Sequence, residues 1–296
     1  MTNQLDPQLK LIKELIEFPT VSRDSNLELI NFISHYLKSY GIESKLIHSD
    51  CGNKANLVAT IGPNIGGGIV LSGHTDGVPV DGQYWHSYPF RLDQRASRLY
   101  GRGTSDMKSF CAIALSLVPE MQGLKRPIHL ALSYDEEVGC LGTKSLIKLI
   151  KEEIPEPLGV IVGEPTEMRI VTAHKGITHF LTTVTGYEAH SSQQHRGVPA
   201  IMYAGRIINW LAERQRKNAE LEDKKSGFEP GYTTLHCGLI RGGTAANICA
   251  RECTFETDIR TMPGESPQDY LEELQDSVSY THLRAHETDS YLVCRL

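Results

Sequence analysis

The chain has no uninterrupted apolar run of about 18 residues, so its sequence predicts no membrane-spanning helix. Its first ten residues, MTNQLDPQLK, lack the basic segment followed by an apolar segment that marks a secretory signal. The net charge of -6 and the pI near 6.1 argue against nucleic acid or an acidic membrane surface as a main partner. These absences favour a cytoplasmic protein.

Motifs for several common chemistries are also missing. No GxSxG segment is present, which argues against a serine hydrolase of that type. The glycine-rich stretch GPNIGGG at 62–68 lacks a following GK[ST] and precedes a predicted strand, so it does not predict a nucleotide-binding loop. The 7 cysteines are scattered and form no CxxC pair. We therefore expect reduced thiols, and neither a disulfide framework nor a cysteine-type zinc site.

Hydrophobic periodicity over the first 175 residues predicts helices that alternate with short apolar strands. Such an alternation is typical of an α/β fold whose strands are buried on both faces of the sheet. The predicted helices are 7–18, 26–40, 108–120 and 143–151, and the predicted strands are 43–47, 55–61, 68–72, 127–133 and 159–162.

The pattern changes near residue 176, where β-branched and partly alternating segments replace the earlier rhythm. Strands are predicted at 178–187, 234–240 and 248–260, and helices at 198–219 and 267–274. Longer strands with two helices indicate a smaller α+β module. We place the domain boundary near residues 175–178.

Ligand-type side chains follow the ends of several predicted strands. The segment LSGHTDGVPV ends a strand with His74 and continues to Asp76, and the segment GVIVG leads into Glu164. Asp106 lies in a glycine-rich turn before a helix, and the strand IHLALSY runs into the acidic triplet 135–137. Ligands in open α/β sheets collect at the carboxyl ends of strands, so these groups are expected to converge.

Each of these acidic groups has a structural explanation when taken alone. Asp106 could cap a helix, the triplet 135–137 could match a helix dipole, and Glu164 could be solvated in a loop. Together, however, several carboxylates at one sheet edge would repel one another unless a cation lay between them. One imidazole with several carboxylates is the ligand set of hydrolytic zinc, and the carboxylates are numerous enough for two metal ions.

The adjacent glutamates Glu136 and Glu137 can divide two tasks between them. Neighbours in a turn can point in different directions, so one carboxylate can bind a metal while the other accepts a proton from water. Asp76 would then lie behind the metal site, accepting a hydrogen bond from the imidazole of His74 and fixing its tautomer.

Four segments resemble one known family, the dizinc metallopeptidase-type deacylases: HTDGVPVDGQYWHSYPF, RLYGRGTSDMKSF, SYDEEVGCLG and VGEPTEM. VPVDGQ and SYDEEVGCLG are most similar to the acetylornithine-deacetylating branch of that family. The likeness extends to about Gln275. It implies a zinc-peptidase-like catalytic domain at 1–176, with a central mixed sheet flanked by helices. It also implies an inserted α+β lid domain at 177–276 that forms a homodimer.

The resemblance also implies a role for each strand-end residue. Two Zn²⁺ ions, replaceable by Co²⁺, would be held by His74, Asp106, Glu137 and Glu164. His74 and Glu164 would bind one ion, Glu137 the other, and Asp106 would bridge them. Glu136 would be the general base, and Asp76 would orient the imidazole.

In the lid, the resemblance implies that His190 of the segment YEAHSS reaches a partner's active site and stabilises an oxyanion. It further implies that Asn247 and Arg260 bind the carboxylate of the substrate. An arginine at a strand end is a natural bidentate partner for a carboxylate. Without the family, His190 is interpreted as a solvated loop histidine and Arg260 as part of a surface ion pair.

The implied activity is metal-assisted hydrolysis of N-acetyl-L-ornithine to L-ornithine and acetate, a reaction of arginine biosynthesis. A desuccinylase, an aminoacylase or a dipeptidase of the same family is the nearest alternative. An alternative of another class is a non-catalytic protein that only binds zinc or dimerises. Glu136 argues against that alternative, since a protein that only binds metal needs no spare base.

The tail at 277–296 does not resemble the family, and its segment VSYTHLRAHET resembles a translated sequencing adapter. We predict that this tail is artefactual, that His282 and His286 are accidental, and that a family segment supplying a last histidine ligand is lacking. The second metal would then keep only Asp106 and Glu137. We therefore expect the chain as written to be inactive or barely folded.

Overall fold

The computed structural model describes residues 6–279, 284–288 and 291–295. The chain divides into two compact units, Met1–Ile170 and Val171–Leu296. Elements of the first unit are α1 Pro7–Ile16, α2 Leu27–Ser39, β1 Ser44–His48, β2 Ala55–Ile61, β3 Ile69–His74, β4 Asp93–Arg95, β5 Arg98–Tyr100, α3 Lys108–Ser116, β6 Ile128–Ser133, α4 Thr143–Glu153 and β7 Gly159–Val162. Elements of the second are β8 Gly176–Thr185, α5 Ala200–Glu220, β9 Thr234–Gly242, β10 Glu252–Thr261, α6 Pro267–Ser279, β11 Arg284–Thr288 and β12 Tyr291–Arg295.

Helix α1 shows how local sequence produces these elements. The side chain of Asp6 accepts a hydrogen bond from the Gln8 N–H at 3.1 Å, which satisfies one of the unpaired donors at the helix start. Pro7 occupies the first turn, where no intrahelical N–H is needed. The buried residues of the helix are Leu11, Ile12, Leu15 and Ile16, so one apolar stripe faces the core.

The first unit is built on a five-stranded mixed sheet of order β1-β2-β6-β3-β7. Strands β1, β2 and β6 pair antiparallel, whereas β6, β3 and β7 run parallel. The predicted central mixed sheet flanked by helices is thus confirmed. Because three neighbouring strands run parallel, their carboxyl ends meet at one edge of the sheet, and this edge carries the candidate site.

Alternating side chains of the central strands fill two separate cores. Leu57 and Leu130 point to the face covered by α1, α2 and α3, where the larger cluster lies. Val58 and Ala131, which are their sequence neighbours, point to the opposite face and pack with Leu146 of α4. This period of two is expected for strands buried on both faces.

One expectation is wrong for the last strand of this sheet. Strand β7 was expected to be buried, but Val160, Ile161 and Val162 are each more than half exposed. The strand pairs only with β3 among the described residues and therefore forms an edge of the sheet. The apolar sequence of a strand gives its propensity and does not reveal whether a second neighbour covers it.

The second unit contains a sheet of order β11-β12-β8-β10-β9. Strand β10 pairs antiparallel with both β8 and β9. Helices α5 and α6 contribute to the core of the unit, in which Phe255 and Leu211 are almost fully buried. The short hairpin β4–β5 of the first unit was not predicted from the sequence.

The C-terminal segment forms the backbone hairpin β11–β12, and β12 pairs parallel with β8. His282 lies outside the described residues, as does the side chain of His286. The artefactual origin of 277–296 stays a prediction, as does the assignment of 1–176 to catalysis and 177–276 to a lid. No helix among the described residues has the length and apolarity needed to cross a membrane.

Leu130 tests the larger core of the first unit. It lies at the centre of β6 and is 1% exposed. Replacing it with alanine would remove buried methyl groups and leave a cavity, so Leu130→Ala should lower the free energy of unfolding by about 2–5 kcal/mol. Urea denaturation followed by circular dichroism measures this change.

The matched control is Ile147→Ala in α4, where the side chain is 46% exposed. Its effect should stay within about 0.5 kcal/mol, since surface substitutions away from special features rarely do more. Equal losses for the two variants would contradict the assignment of Leu130 to a packed core.

Candidate metal centre

Three strand ends and one loop bring ligand-type side chains together. His74 is the last residue of β3, Glu136 follows the end of β6, and Glu164 follows the end of β7. Asp106 lies in the loop before α3. Nε2 of His74 is 2.9 Å from Oδ1 of Asp106, 3.8 Å from Oε1 of Glu164 and 3.9 Å from Oε2 of Glu136.

Within the described part of the chain, one group of metal-binding side chains satisfies close spacing: His74, Asp106 and Glu164. One ligand atom from each lies within 4.8 Å of the others. Three of the predicted site residues are thus brought together around one point. Glu137 is not part of this group, although the negative charge of Asp106 contributes to raising the pKa of its carboxyl.

Two carboxyl groups of the site, those of Glu137 and Glu164, have raised pKa values, as expected where several negative charges lie close together. Burial raises the pKa of the Glu164 carboxyl, and the charges of Asp106 and Glu136 raise it further. The pKa of Glu137 is also raised, by burial first and then by Asp106. A divalent cation would relieve this repulsion, and the donor set of one imidazole with carboxylates suits such an ion. The residues therefore fit a metal.

His74 is buried and its protonation follows from its partners. Burial lowers the pKa of the imidazole, but hydrogen bonding to Asp76 and Asp106 and the charge of Glu164 outweigh it and raise the pKa to about 9. The Nδ1–H donates to the backbone carbonyl of Asp76 at 3.0 Å. A carbonyl can only accept, so Nδ1 carries a proton, and Nε2 is the atom directed at the carboxylates.

Asp76 is buried behind His74 and is held by several donors. Oδ1 of Asp76 lies 3.5 Å from Nδ1 of His74. The carboxylate accepts hydrogen bonds from the Ser22 hydroxyl at 2.7 Å, from the Glu136 N–H at 3.1 Å and from the Glu137 N–H at 3.3 Å. Burial alone would raise the pKa of Asp76, but hydrogen bonds from His74, from Ser22 and from the Glu136 N–H lower it below its usual value. Asp76 therefore remains ionised and links the imidazole to the loop carrying both glutamates.

Sequence reasoning missed two side chains beside these residues. Ser22 precedes α2 and shows no periodicity or motif that would have identified it. Cys140 lies four residues after Glu136, and its thiol is 3.6 Å from Oε1 of that glutamate. The only sequence signal for Cys140 was its place in the segment SYDEEVGCLG.

The predicted residues of the second unit lie on its loops and on β10. The backbone of His190 bridges that of Ile248, and the Ser191 N–H donates to the carbonyl of Asn247 at 2.9 Å. These contacts place His190 and Asn247 on adjacent backbone segments. Both residues are exposed. Nδ1 of His190 is 2.8 Å from the Ser192 hydroxyl.

Arg260 forms a bidentate ion pair with Asp258 of its own strand. Its Nε donates to Oδ1 of Asp258 at 2.7 Å and its Nη2 donates to Oδ2 at 2.8 Å. This bidentate contact raises the pKa of the guanidinium. Residues two apart on a strand share a face, which explains the contact.

Gly163 tests how closely the end of β7 must approach α3 to place Glu164. A Cβ at position 163 would overlap the ring of Phe110 in α3. Gly163→Ala should therefore displace Glu164 and weaken Zn²⁺ binding by about tenfold, as expected when the support of a metal ligand is disturbed. Isothermal titration calorimetry with Zn²⁺ measures this.

Gly159→Ala, at the start of the same strand, is the matched control because its Cβ would meet no atom within 4 Å. It should leave the Zn²⁺ affinity unchanged. Unaltered affinity in Gly163→Ala would show that Glu164 does not depend on this packing.

Comparison with known proteins gives a consistent result. The model of Peptidase family M20/M25/M40 matches residues 70–283. An acetylornithine deacetylase from Photorhabdus laumondii is 34% identical over 279 residues, which cover 91% of this chain and 71% of that protein. An acetylornithine deacetylase from Myxococcus xanthus is 35% identical over 273 residues, covering 90% of this chain and 70% of that protein.

Solved structures share the fold at low sequence identity. The M20 family metallo-carboxypeptidase Sso-CP2 from Sulfolobus solfataricus superposes with a TM-score of 0.74 at 18% identity, over 98% of this chain and 78% of that one. The YXEP protein of Bacillus subtilis, a dinuclear metal binding peptidase from the M20 family, gives a TM-score of 0.57 at 15% identity, over 90% and 67%. Because the family match spans most of the sequence, the chain belongs to Peptidase family M20/M25/M40 and is a metal-dependent amidohydrolase.

Proposed function

We propose that the protein hydrolyses N-acetyl-L-ornithine to L-ornithine and acetate with zinc as its metal. The observation that carries this proposal is the group of His74, Asp106 and Glu164, with the carboxylate of Glu136 3.9 Å from the imidazole. The acyl group is inferred from the relatives described above, which are acetylornithine deacetylases. A desuccinylase, an aminoacylase or a dipeptidase would use the same side chains.

We assign the metal ligands as follows. His74, Asp106 and Glu164 would hold one ion, and Asp106 with Glu137 would hold a second. A bound zinc ion supplies Lewis acidity, which polarises an amide carbonyl and makes a nearby water easier to deprotonate. The raised pKa values of Glu137 and Glu164 support this assignment, since a bound cation would favour the charged form of both carboxylates.

Glu136 would transfer the proton of the reaction. Its carboxylate takes a proton from the attacking water, whose oxygen forms a bond to the acetyl carbon. When the C–N bond breaks, Glu136 returns that proton to the nitrogen of the leaving ornithine. The N–H of Glu136 donates to Asp76, so the backbone of the base is fixed while its side chain, which is 35% exposed, can meet the substrate.

Asp76 would position His74 and would not touch the substrate. Its buried carboxylate accepts from Ser22 and from the two glutamate N–H groups, so it cannot move independently of the loop. An ionised carboxylate beside Nδ1 keeps the proton there and leaves Nε2 for a metal.

The second unit would bind the substrate and form the dimer. His190 would stabilise the oxyanion in a partner's site, and Asn247, on the adjacent backbone segment, would bind the carboxylate of ornithine together with Arg260. The Nε and Nη2 edge of Arg260 is used by Asp258, so a substrate carboxylate would be bound through Nη1. We further propose a cytoplasmic homodimer.

Substrate preference tests the proposed function. Where the chain turns over with Zn²⁺ added, N-acetyl-L-ornithine should be hydrolysed at least ten times faster than N-succinyl-diaminopimelate, an N-acyl amino acid with a different side chain, or a dipeptide. Such a ratio is on the scale of about 1–3 kcal/mol for pocket discrimination. Metal content is measured on the same sample. Calorimetric binding of the four compounds is recorded in parallel and should show the same order.

Faster reaction or tighter binding with the succinyl compound would transfer the proposal to a desuccinylase. Binding of N-acetyl-L-ornithine with one metal and no turnover would agree with the expectation that the chain as written lacks a ligand. Two metals per chain with turnover would contradict that expectation and support the substrate assignment.

Glu136 and Glu164 should separate proton transfer from metal binding. Glu136→Gln should lower kcat by about 10²–10⁴-fold, the range expected for losing a general base, while Zn²⁺ affinity stays the same. Glu164→Gln should weaken Zn²⁺ binding directly, because a neutral amide is a poorer ligand than a carboxylate. Glu152→Gln on the exposed surface of α4 is the control and should change neither value. Loss of Zn²⁺ affinity in Glu136→Gln would assign Glu136 to the metal.

A further inference from the structure

We propose that Lys54 is a positioning residue for the candidate base Glu136, acting through an ion pair with Asp135. This inference rests on the proposed function of Glu136. Lys54 immediately precedes β2, and Asp135 lies between the end of β6 and Glu136. Nζ of Lys54 is 2.5 Å from Oδ1 of Asp135, and the two side chains are only 13% and 10% exposed.

The same ammonium group makes a second contact that reaches the site by another route. Nζ of Lys54 donates to the backbone carbonyl of Ser22 at 2.5 Å. The hydroxyl of Ser22 in turn donates to Oδ2 of Asp76 at 2.7 Å. Lys54 therefore joins the two segments that hold Asp76, one containing Ser22 and the other containing Asp135.

Asp135 is the residue at which the chain turns from β6 into the loop that carries both glutamates. Its φ of 55° lies in the left-handed region, which aspartate tolerates better than most residues but seldom adopts. The next two N–H groups, of Glu136 and Glu137, both donate to the carboxylate of Asp76. Fixing the Asp135 side chain therefore fixes the direction in which these two peptide groups leave the strand.

Asn56 closes the loop 134–142 at its two ends. Its Oδ1 accepts from the Tyr134 N–H at 3.2 Å, and its Nδ2 donates to the carbonyl of Gly142 at 2.8 Å. Lys54 holds the same loop at Asp135, between the end of β6 and Glu136. Lys54, just before β2, and Asn56, in β2, thus contact different parts of one loop.

Stability alone does not account for a charge pair at this place. Removing two charges from water costs free energy that their attraction often only offsets, so an apolar pair could fill the same space. The ion pair of Lys54 with Asp135 is directional and lies one residue from the candidate base. It can therefore select one backbone direction for Glu136, which an apolar pair could not do.

The test uses the full chain with Zn²⁺ and N-acetyl-L-ornithine. Lys54→Met keeps the length of the side chain without its charge, and Asp135→Asn keeps its shape and its tolerance of a positive φ. Each should lower kcat by about 10–100-fold, the usual effect of disturbing groups behind a metal site, with KM changed by less than about threefold. The double variant should lose no more than either single variant, because the pair acts as one unit.

Amide hydrogen exchange reads out the same effect without turnover. In the metal-free chain, the N–H groups of Glu136 and Glu137 should exchange at least ten times faster in Lys54→Met, while those of β3 should be unchanged. Lys45→Met is the matched control, because Lys45 forms an exposed ion pair with Glu153 away from the site. Its exchange and kinetics should equal those of the unsubstituted chain.

Unchanged exchange at both glutamates in Lys54→Met and Asp135→Asn would overturn the proposal, as would kcat losses that add in the double variant. Faster exchange over the whole first unit would also overturn it, because it would show a general loss of stability. If no variant hydrolyses the substrate but exchange rises only at Glu136 and Glu137, the positioning role stands and the proposed activity fails. Turnover with unchanged exchange at Glu136 and Glu137 would support the proposed activity and overturn the positioning role.

Discussion

Parallel pairing of β3 with β6 and β7 is the constraint on which the site depends. Parallel strands end at the same edge, so three residues far apart in sequence, His74, Glu136 and Glu164, are brought to one edge of the sheet. Both faces of the central strands are covered by apolar side chains, which fixes the register of β3 and β6. The polar residues at the strand ends can therefore be held close together although their charges repel.

Much of this arrangement could be predicted from sequence because it depends on local periodicity. Strand β2 and strand β7 have the predicted bounds, and the convergence of His74, Asp106 and Glu164 follows from their places at strand ends and in a turn. The contacts that hold the site depend on which segments fold against each other. No periodicity links Lys54 to Asp135 across 81 positions, and nothing local links Ser22 to Asp76.

The predictions that failed or stayed open have the same physical origin. Strand β7 reads as a buried strand because its residues are apolar, yet exposure is decided by neighbours that a strand cannot encode. Arg260 has the sequence position of a substrate-binding arginine, but Asp258 on the same face already takes two of its donors. In each case neighbouring residues that local sequence does not specify decide the environment of the side chain.

The ligands of the site differ in how firmly the fold holds them. His74 ends a strand that has neighbours on both sides, and its carboxylate partner Asp76 is buried, so the fold itself holds this half of the site. Glu164 follows an edge strand whose side chains are exposed, and burial of its carboxyl and the charge of Asp106 raise its pKa. A cation that binds the folded chain stabilises it by mass action. Since an edge strand opens more easily than a central one, that stabilisation should be greatest at β7, so metal binding would complete the part of the fold that the apolar core supports least.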